Sequence, residues 1–377
     1  MRVLARARAA GAVDLEAVRR AVGAVRDPEL DLALADAGML GEVRLPRGGT
    51  VRVVLRLTTA TCPLRAELIR DVRSAATAVA GVSDVEVHVE AMSETERMSL
   101  AARLRGGRGS RHPFGRESST LVYAVGSGKG GVGKSTVTAN LAVALARQGK
   151  RVGVLDADVW GWSIPQLFGV RRPPVALKGL MLPLPAHGVV LMSVGFLLEH
   201  DEPVVWRGPM LHKAIEQFLG DVHWGELDVL LIDLPPGTGD VALTLLELVP
   251  DAQLLVVTTP QPAAQHVAAR VARMARDAGM PVAGVIENMS THVCSSCDAH
   301  TPLFGAGGGE RLAADIETAL LGQIPLDLPL RSSGDLGVPA MVASPDAASV
   351  VEVGRIAARL PVARRSLVGR SLPLTVV

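Results

Sequence analysis

One glycine-rich stretch constrains the fold of this chain more than any other part of its sequence. Residues 127–136 read SGKGGVGKST and contain the pattern G-x-x-x-x-G-K-S. The apolar run 121–125 precedes this stretch, and the helix-forming run 138–146 follows it. A strand, a glycine loop and a helix in this order form a phosphate-binding loop, in which backbone N–H groups point at phosphate oxygens. The sequence therefore predicts a site for a nucleoside triphosphate.

The side chains of this loop indicate how the phosphates would be bound. Lys134 would place a positive charge on the outer phosphates, and Ser135 would offer its hydroxyl group to Mg²⁺. Lys129 is an unusual second lysine inside the loop. The predicted nucleotide-binding residues of the loop are Gly128, Lys129, Gly130, Gly131, Val132, Gly133, Lys134, Ser135 and Thr136.

From residue 120 onward, strand-like and helix-like runs alternate. Several of the strands are continuous apolar runs, which is typical of a parallel sheet covered on both faces. The pattern predicts a doubly wound, mostly parallel α/β domain, a P-loop NTPase domain over 120–362, with ligands at the carboxyl ends of the strands. The predicted strands are 121–125, 151–155, 189–193, 228–232, 253–257 and 282–287, and the predicted helices are 134–147, 210–219, 239–248 and 262–278.

The residues before this domain predict a second, smaller unit. Helical spacing over 13–25 and 64–79 and strand-like runs over 40–45, 51–57 and 85–89 predict a small α+β domain over 13–92. An Arg- and Gly-rich composition predicts a mobile linker over 93–119, whose charges are more typical of a solvated segment than of a nucleic-acid site. Residues 363–377 form a C-terminal tail.

Composition excludes several classes of function. Of the 377 residues, 39 are Lys or Arg and 38 are Asp or Glu, so the net charge of +1 gives no reason to expect nucleic acid as a partner. No uninterrupted apolar run reaches about 18 residues, so we expect no membrane span. Three cysteines are too few for a disulfide framework, and the N-terminus lacks a secretory pattern, which favours a reduced cytoplasmic setting.

Three aspartates follow predicted strands of the α/β domain. A carboxylate at the end of a buried strand is costly unless a cation or hydrogen-bond donors lie nearby, and Mg²⁺ and water would supply them. Asp233 therefore suits the second shell of Mg²⁺, and Asp158 suits the orientation of the attacking water. Asp156 would support either the metal or the loop, and Gly237 suits a turn that senses the γ-phosphate.

Taken together, these motifs resemble those of one known family. The stretches 127–136, 156–161, 206–210, 233–240 and 288–290 resemble the Mrp/ApbC iron–sulfur carrier ATPases, which belong to the MinD-like deviant Walker P-loop group. The resemblance covers about 120–362, and residues 13–90 look like the small iron–sulfur-assembly domain that often precedes such ATPases. One departure is visible, because Trp162 stands where the family usually has proline.

The resemblance implies a role for each matching residue. Lys129 would reach across a homodimer to the partner's nucleotide, and Asp158 would position water. Asp233 would couple the nucleotide state to the rest of the protein, and Asn288 would contact adenine. Phosphates and Mg²⁺ would be bound by Lys134, Ser135 and Thr136.

The pair Cys294 and Cys297 forms a C-x-x-C motif with three open interpretations. A redox pair is disfavoured because a presumed loop over 288–293 precedes the motif and no helix begins at it. A zinc site within one chain would need His292 and His300 as further ligands, at very tight spacing. In the third, two chains supply four thiolates, and the family resemblance favours this one: a [4Fe–4S] cluster that bridges a homodimer.

The remaining cysteine is a weaker candidate. Cys62 precedes Pro63 at a predicted helix start, where a small buried residue and a reactive or cluster-contacting thiol both remain open. The resemblance as a whole implies an ATP-hydrolysing carrier that hands its cluster to apo iron–sulfur proteins. The alternative is a MinD- or ParA-like switch ATPase in spatial positioning, which would need an amphipathic membrane-binding tail or a basic DNA-binding face.

Overall fold

The computed structural model divides the chain into two units. The first comprises Met1–Gly109 and Ala176–Leu182, and the second comprises Ser110–Val175 and Pro183–Val377. No helix of the described residues is both long and apolar enough to cross a membrane. The structure describes residues 13–47, 49–59, 62, 64–105, 113–115, 118–159, 161–197, 208–237, 240–294, 296–297 and 299–362.

The first unit is a small α+β fold, as the sequence predicts. Its elements up to residue 105 are α1 (Leu15–Gly23), β1 (Arg26–Asp27), β2 (Leu32–Ala33), α2 (Leu34–Ala37), β3 (Leu40–Arg47), β4 (Thr50–Leu57), α3 (Arg65–Thr77), β5 (Asp84–Ala91) and α4 (Glu94–Arg105). Strand β4 pairs antiparallel with β3 and parallel with β5. Alternate residues of β4, Val51, Val53 and Leu55, are buried, because successive strand side chains point to opposite faces.

The segment predicted as a linker, 93–119, begins differently from the expectation. Helix α4 occupies its first part, and a capping box explains why it starts there. The Ser93 hydroxyl oxygen accepts a hydrogen bond from the Glu96 backbone N–H, and the Glu96 carboxylate accepts one from the Ser93 N–H. Leu100 is buried, and Arg105 donates to the carbonyl oxygen of Lys178 in the Ala176–Leu182 segment of the same unit. Linker residues 106–112 and 116–117 and the predicted tail 363–377 lie outside the described residues.

The second unit contains the predicted α/β architecture. Strands β8 (Val175–Leu177) and β9 (Leu180–Leu182) pair with each other and, from Ala176 onward, belong to the first unit. The elements of the second unit are β6 (Leu121–Ser127), α5 (Lys134–Arg147), β7 (Val152–Asp156), α6 (Ile164–Leu167), β10 (Leu184–Ala186), β11 (Val189–Ser193), the 3₁₀ turn Val194–Phe196, α7 (Gly208–Gly220), β12 (Val229–Asp233), α8 (Asp240–Leu248), β13 (Gln253–Thr258), α9 (Pro262–Asp277), β14 (Val282–Val293), β15 (His300–Thr301), α10 (Gly308–Asp315), β16 (Leu320–Leu326), α11 (Leu328–Leu336), α12 (Ala340–Ala343) and α13 (Ala348–Arg359).

One mixed sheet organises this unit. Its order among the described residues is β10-β11-β7-β12-β6-β13-β14-β15, and β16 also pairs with β14. The neighbouring strands β11, β7, β12, β6, β13 and β14 run parallel, and β16 runs parallel to β14. Strand β10 pairs antiparallel with β11, and β15 pairs antiparallel with β14. Every residue of β6, β7 and β12 is buried, which explains their continuous apolar sequences. The predicted fold class is confirmed.

Register brings the candidate site to one edge of this sheet. Asp233 at the end of β12 is paired with Asp156 at the end of β7 and with Val125 near the end of β6. Because parallel strands end at the same edge, the phosphate-binding loop after β6 lies beside both aspartates.

The strand β14 is longer than the sequence pattern predicts. The prediction ends it at residue 287 and presumes a loop over 288–293, whereas β14 continues to Val293. The extension persists because β16 pairs with it on one side and β15 pairs with its last two residues. Strand β16 and helix α13 are not among the elements predicted from the sequence. Val353 and Ile356 of α13 are buried in the core of this unit.

Candidate functional site

The phosphate-binding loop joins the end of β6 to the start of α5. Gly131 and Gly133 have φ angles of 81° and 82°, a left-handed conformation that side chains other than glycine adopt at a cost. The helix α5 begins at Lys134, directly after this turn. A cavity of about 490 Å³ lies over the loop. It is lined by Ser127, Lys129, Gly130, Gly131, Val132, Gly133, Lys134, Ser135, Thr136, Asp158, Gly161, Ser163, Pro235 and Pro236.

Buried charges meet beneath this cavity. The Lys134 ammonium group lies 2.8 Å from Oδ2 of Asp233 and 3.9 Å from Oδ2 of Asp158. The Asp233 carboxylate also accepts hydrogen bonds from the hydroxyl groups of Ser135, at 2.5 Å, and Thr138, at 2.9 Å. A buried carboxylate is stable when it is surrounded by a cation and donors of this kind. Asp233 thus connects the loop lysine to the hydroxyl group predicted to bind Mg²⁺.

Asp156 supports the loop that carries Asp158. Its Oδ1 accepts from the backbone N–H of Asp158, at 3.2 Å, and its Oδ2 accepts from the N–H groups of Ser163 and Ile164, each at 3.2 Å. The Ser193 hydroxyl group also donates to Oδ2, at 3.1 Å. Burial, followed by the nearby charge of Asp233, raises the pKa of Asp156 to about 7. These contacts fit the loop role of Asp156; its role toward a metal stays a prediction.

Asp158 reaches the cavity from the same loop. Its Oδ1 accepts a hydrogen bond from the Gly161 N–H, at 3.0 Å, while Oδ2 faces Lys134. On the opposite side, Gly237 has a φ angle of 94° and donates its N–H to the carbonyl oxygen of Ser127, at 2.8 Å. Asp158 and Gly237 thus each lie next to residues of the phosphate-binding loop or the strand before it. The predicted role of Asp158 in positioning water and that of Gly237 in sensing the γ-phosphate stay predictions.

Lys129 contacts a residue of its own chain. Its ammonium group donates to the side-chain oxygen of Gln261, at 3.0 Å, and Gln261 is the residue before helix α9. Lys129 is half-buried and lines the cavity. Its predicted reach to a partner's nucleotide stays a prediction.

Asn288 lies beneath the loop. Its side-chain Nδ2 donates to the carbonyl oxygen of Val132, at 2.9 Å, and the residue is buried. Among the described residues, its Oδ1 has no hydrogen-bond partner. Asn288 is absent from the described lining of the cavity, and its predicted contact with adenine stays a prediction.

The cysteine pair lies at the tip of a hairpin. Strand β14 ends at Val293, and the Cys294 backbone N–H donates to the carbonyl oxygen of Ala299, at 3.0 Å, just before β15. Cys294 is half-buried and Cys297 is exposed. Hydrogen bonding, first from the Ser296 backbone N–H and then from the Cys297 side chain, lowers the pKa of the Cys294 thiol.

The histidines of the one-chain zinc interpretation are arranged differently from that expectation. The Nδ1 atom of His292 lies 3.3 Å from the carbonyl oxygen of Leu326, and His300 is paired with Val293 rather than with His292. Within the part of the chain that the structure describes, no three His, Cys, Asp or Glu side chains are grouped as metal ligands. The hairpin carries the thiols of Cys294 and Cys297, and two thiols are half of a tetrathiolate set.

Cys62 belongs to the first unit. It is buried, its N–H donates to the carbonyl oxygen of Thr59, at 3.3 Å, and its own carbonyl oxygen accepts from Arg65, at 3.2 Å. Its neighbours Thr61 and Pro63 lie outside the described residues. These contacts fit the small buried residue of the first interpretation.

Known proteins match this chain over nearly its whole length. The family model described as NUBPL iron-transfer P-loop NTPase matches residues 119–361, more than half of the chain. The chain belongs to this family. A second model, described as iron-sulfur cluster assembly protein, matches residues 15–89 of this P-loop NTPase.

Several relatives of this P-loop NTPase are named iron-sulfur cluster carrier protein. An iron-sulfur cluster carrier protein of Mycobacterium leprae is 45% identical over 372 residues, covering 96% of this chain and 97% of its own. One from Mycobacterium tuberculosis strain H37Rv is 48% identical over 367 residues, covering 95% and 96%. A solved nucleotide-binding protein of Archaeoglobus fulgidus in complex with ADP is 42% identical, with a TM-score of 0.52 over 58% of this chain and 87% of that chain. The predicted family is confirmed.

Two contacts of this P-loop NTPase are not predicted from its sequence. Thr138 binds Asp233, and it could have been found as the residue four positions after Lys134 on the same helix face. Gln261 binds Lys129 across 132 positions of sequence, and no local pattern signals this contact.

Proposed function

We propose that this protein is an ATP-dependent carrier that holds a labile iron–sulfur cluster and transfers it to apo iron–sulfur proteins. One observation carries the proposal: the unit that holds the phosphate-binding loop also presents two thiols, Cys294 and Cys297, at the tip of a hairpin. The names of the relatives, aligned over 95–96% of this chain, support the same reading.

The nucleotide would be ATP with Mg²⁺. The N–H groups of the loop and the Lys134 ammonium group would contact the phosphates. Ser135 would bind the metal, and Asp233 would accept hydrogen bonds from the groups bound to the metal. The hydroxyl and buried carboxylate, 2.5 Å apart, fit a hydrated Mg²⁺ ion. When bound, the ion neutralises charge that develops on the transferred phosphoryl group. Asp158 would orient the attacking water.

The cluster would be cargo shared between two chains. One hairpin supplies two thiolates, and a two-fold homodimer supplies four, which is the set that a bridging [4Fe–4S] cluster requires. The lowered pKa of the Cys294 thiol favours the thiolate that binds iron. Lys129 would leave Gln261 and reach the partner's nucleotide, so that ATP binding and dimer geometry would be linked.

The two predicted domains of the chain would have different roles. We infer that residues 120–362 form the ATPase and that residues 13–92, which match an iron–sulfur assembly model over 15–89, contribute to cluster assembly or delivery. The alternative, a positioning switch of the MinD or ParA kind, is not favoured because the relatives over most of the chain are iron-sulfur cluster carrier proteins. That alternative would need an amphipathic helix in the C-terminal tail, residues 363–377. This tail lies outside the described residues.

Anaerobic reconstitution of the purified protein with iron and sulfide tests this function. We expect about four iron and four sulfide per dimer, with iron–sulfur absorbance, and loss of both in Cys294→Ser and Cys297→Ser. Cys62→Ser is the matched thiol control and should keep the cluster. Transfer is then followed by activation of an apo iron–sulfur enzyme, with and without ATP. A cluster that persists in Cys294→Ser would overturn the carrier function.

A further inference from the structure

One strand runs directly from the phosphate-binding loop to the cysteine hairpin. Asn288 on β14 contacts the loop, and Cys294 follows six residues later, immediately after the same strand ends. Extended chain rises about 3.3 Å per residue, so the two positions are separated by at most about 20 Å of backbone. No loop or helix intervenes, because residues 288–293 are all strand.

The contact at Asn288 fixes a peptide of the loop. The Asn288 amide donates to the carbonyl oxygen of Val132. A trans peptide is planar, and its C=O and N–H groups point in opposite directions. The hydrogen bond therefore turns the Gly133 N–H away from Asn288. Val132 and Gly133 both line the cavity, so the orientation of this peptide determines how the loop presents its donor.

The same region of β14 is packed tightly against the loop. A Cβ atom built on Gly133 would lie 2.2 Å from Nδ2 of Asn288 and 3.7 Å from Cε of Met289. Close-packed interiors transmit displacements, because no space exists to absorb them. Movement of the Gly133 peptide toward β14 must therefore displace Asn288 or Met289.

The backbone at this point is irregular. Asn288 is paired with Ile324 and His292 with Leu326, so four steps along β14 face two steps along β16. Met289, inside this bulge, has a φ angle of 55°. A left-handed conformation is unfavourable for a non-glycine residue. The buried Oδ1 atom of Asn288 accepts no hydrogen bond from the residues that the structure describes, and a buried amide oxygen in that state is unfavourable as well. Local strain of this kind is typical of elements that change conformation.

We propose that Asn288 is a positioning residue that couples the phosphate-binding loop to the cysteine hairpin. It orients the Val132–Gly133 peptide, and the bulge over 288–292 transmits movement of that peptide along β14 to Cys294. Nucleotide binding thereby changes the environment of the Cys294 thiol within one chain, in addition to any change at a dimer interface. This inference rests on the proposed function, because it concerns regulation of the same two sites.

The test uses the full chain without a cluster, under anaerobic reducing conditions. The rate of alkylation of Cys294 by iodoacetamide is measured by mass spectrometry, without nucleotide and with saturating Mg-ADP or a non-hydrolysable Mg-ATP analogue. In the wild type we expect nucleotide to change this rate by about fivefold or more, the usual lower range for coupled sites. In Asn288→Ala the ratio should fall to within about twofold of unity at nucleotide saturation.

Asn140 provides a matched control. It is also buried, and its Nδ2 donates to a backbone carbonyl oxygen, that of Thr136, at 2.9 Å. Its Oδ1 accepts from the backbone N–H of Met341, at 3.0 Å, so neither of these two hydrogen bonds involves β14. Asn140→Ala should keep the wild-type ratio, whereas a general loss of packing would lower it in both variants.

A second variant covers the case in which Asn288→Ala does not fold. Met289→Gly keeps the hydrogen bond of Asn288 and relieves the left-handed backbone, so nucleotide affinity should stay within about threefold of the wild type while the ratio falls. A wild-type ratio near one, or an unchanged ratio in Met289→Gly or in folded Asn288→Ala, overturns the coupling. These outcomes leave the carrier function standing if wild-type protein still assembles a cluster, whereas loss of cluster assembly overturns the proposed function itself.

Discussion

The Lys134 ammonium group and the Asp233 carboxylate lie 2.8 Å apart, and both side chains are buried. Removing the carboxylate would leave the lysine charge without its nearest counter-ion. We expect Asp233→Ala to lower the free energy of unfolding, without nucleotide, by about 2 to 4 kcal/mol, somewhat less than for a fully sealed pair because Lys134 borders a cavity. Urea unfolding measures this difference.

Thr138→Val is the control for that experiment. It removes one hydrogen bond to Asp233 but leaves no unpaired charge, so it should cost only about 1 kcal/mol. Equal losses in Asp233→Ala and Thr138→Val would mean that the ion pair does not contribute as expected.

Two glycines of the loop should respond differently to the same substitution. A Cβ at Gly133 would lie 2.2 Å from Asn288 in a left-handed backbone, whereas a Cβ at Gly130 meets nothing within 4 Å. Gly133→Ala should therefore lower the free energy of unfolding by about 2 to 4 kcal/mol through overpacking and backbone strain. Gly130→Ala should change it by less than about 0.5 kcal/mol. Thermal and urea unfolding compare the two, and equal stability of both variants would contradict the prediction.

The raised pKa of Asp156 predicts a dependence of stability on pH. Its pKa is about 7 when folded and near 3.8 in the unfolded chain, so the folded state holds the extra proton between these values. That contribution to stability is fully present below pH 3.8 and is lost as pH rises through 7. Relative to Asp156→Asn, which does not titrate, the wild type should lose about 2 to 3 kcal/mol between pH 5 and pH 8.

Urea unfolding of both proteins over that pH range measures the effect of Asp156. The difference between the two curves isolates this residue, because the other titrating groups are shared. Curves that run parallel from pH 5 to pH 8 would show that Asp156 is already ionised in the folded protein.

The Cys294 thiol should react at lower pH than an ordinary cysteine. Hydrogen bonds from the Ser296 N–H and the Cys297 side chain lower its pKa from the usual 9.0. The pH profile of its alkylation, measured in a Cys62→Ser background, should therefore have a midpoint below 9.0. Cys297→Ala should move the midpoint upward, since one donor is lost. A midpoint that is unchanged by this substitution would assign the lowered pKa to the backbone N–H groups and the Ser296 side chain.

Much of the second unit could be predicted because its signals are local. Continuous apolar runs predict the buried strands β6, β7 and β12, and glycines at 131 and 133 supply the positive φ angles that the loop requires. The same reasoning reached the aspartates at the strand ends, since parallel strands end at one edge. Helix α4 was within reach as well, because Ser93 and Glu96 form a capping box, but the Arg- and Gly-rich composition of the segment 93–119 predicted a linker.

By itself, the sequence determined the family, the α/β architecture and the identity of the loop and hairpin residues, because these depend on patterns within a few positions. The tertiary structure decided what those residues contact. Val132 and Asn288 are 156 positions apart, and Lys129 and Gln261 are 132 apart, so their hydrogen bonds depend on strand register and packing rather than on local preference. The same holds for β14, whose last residues form a strand because β15 and β16 pair with them. Hydrogen bonds across a sheet exist only after distant strands have paired, and for this reason the sequence could not show the connection between the loop and the cysteines.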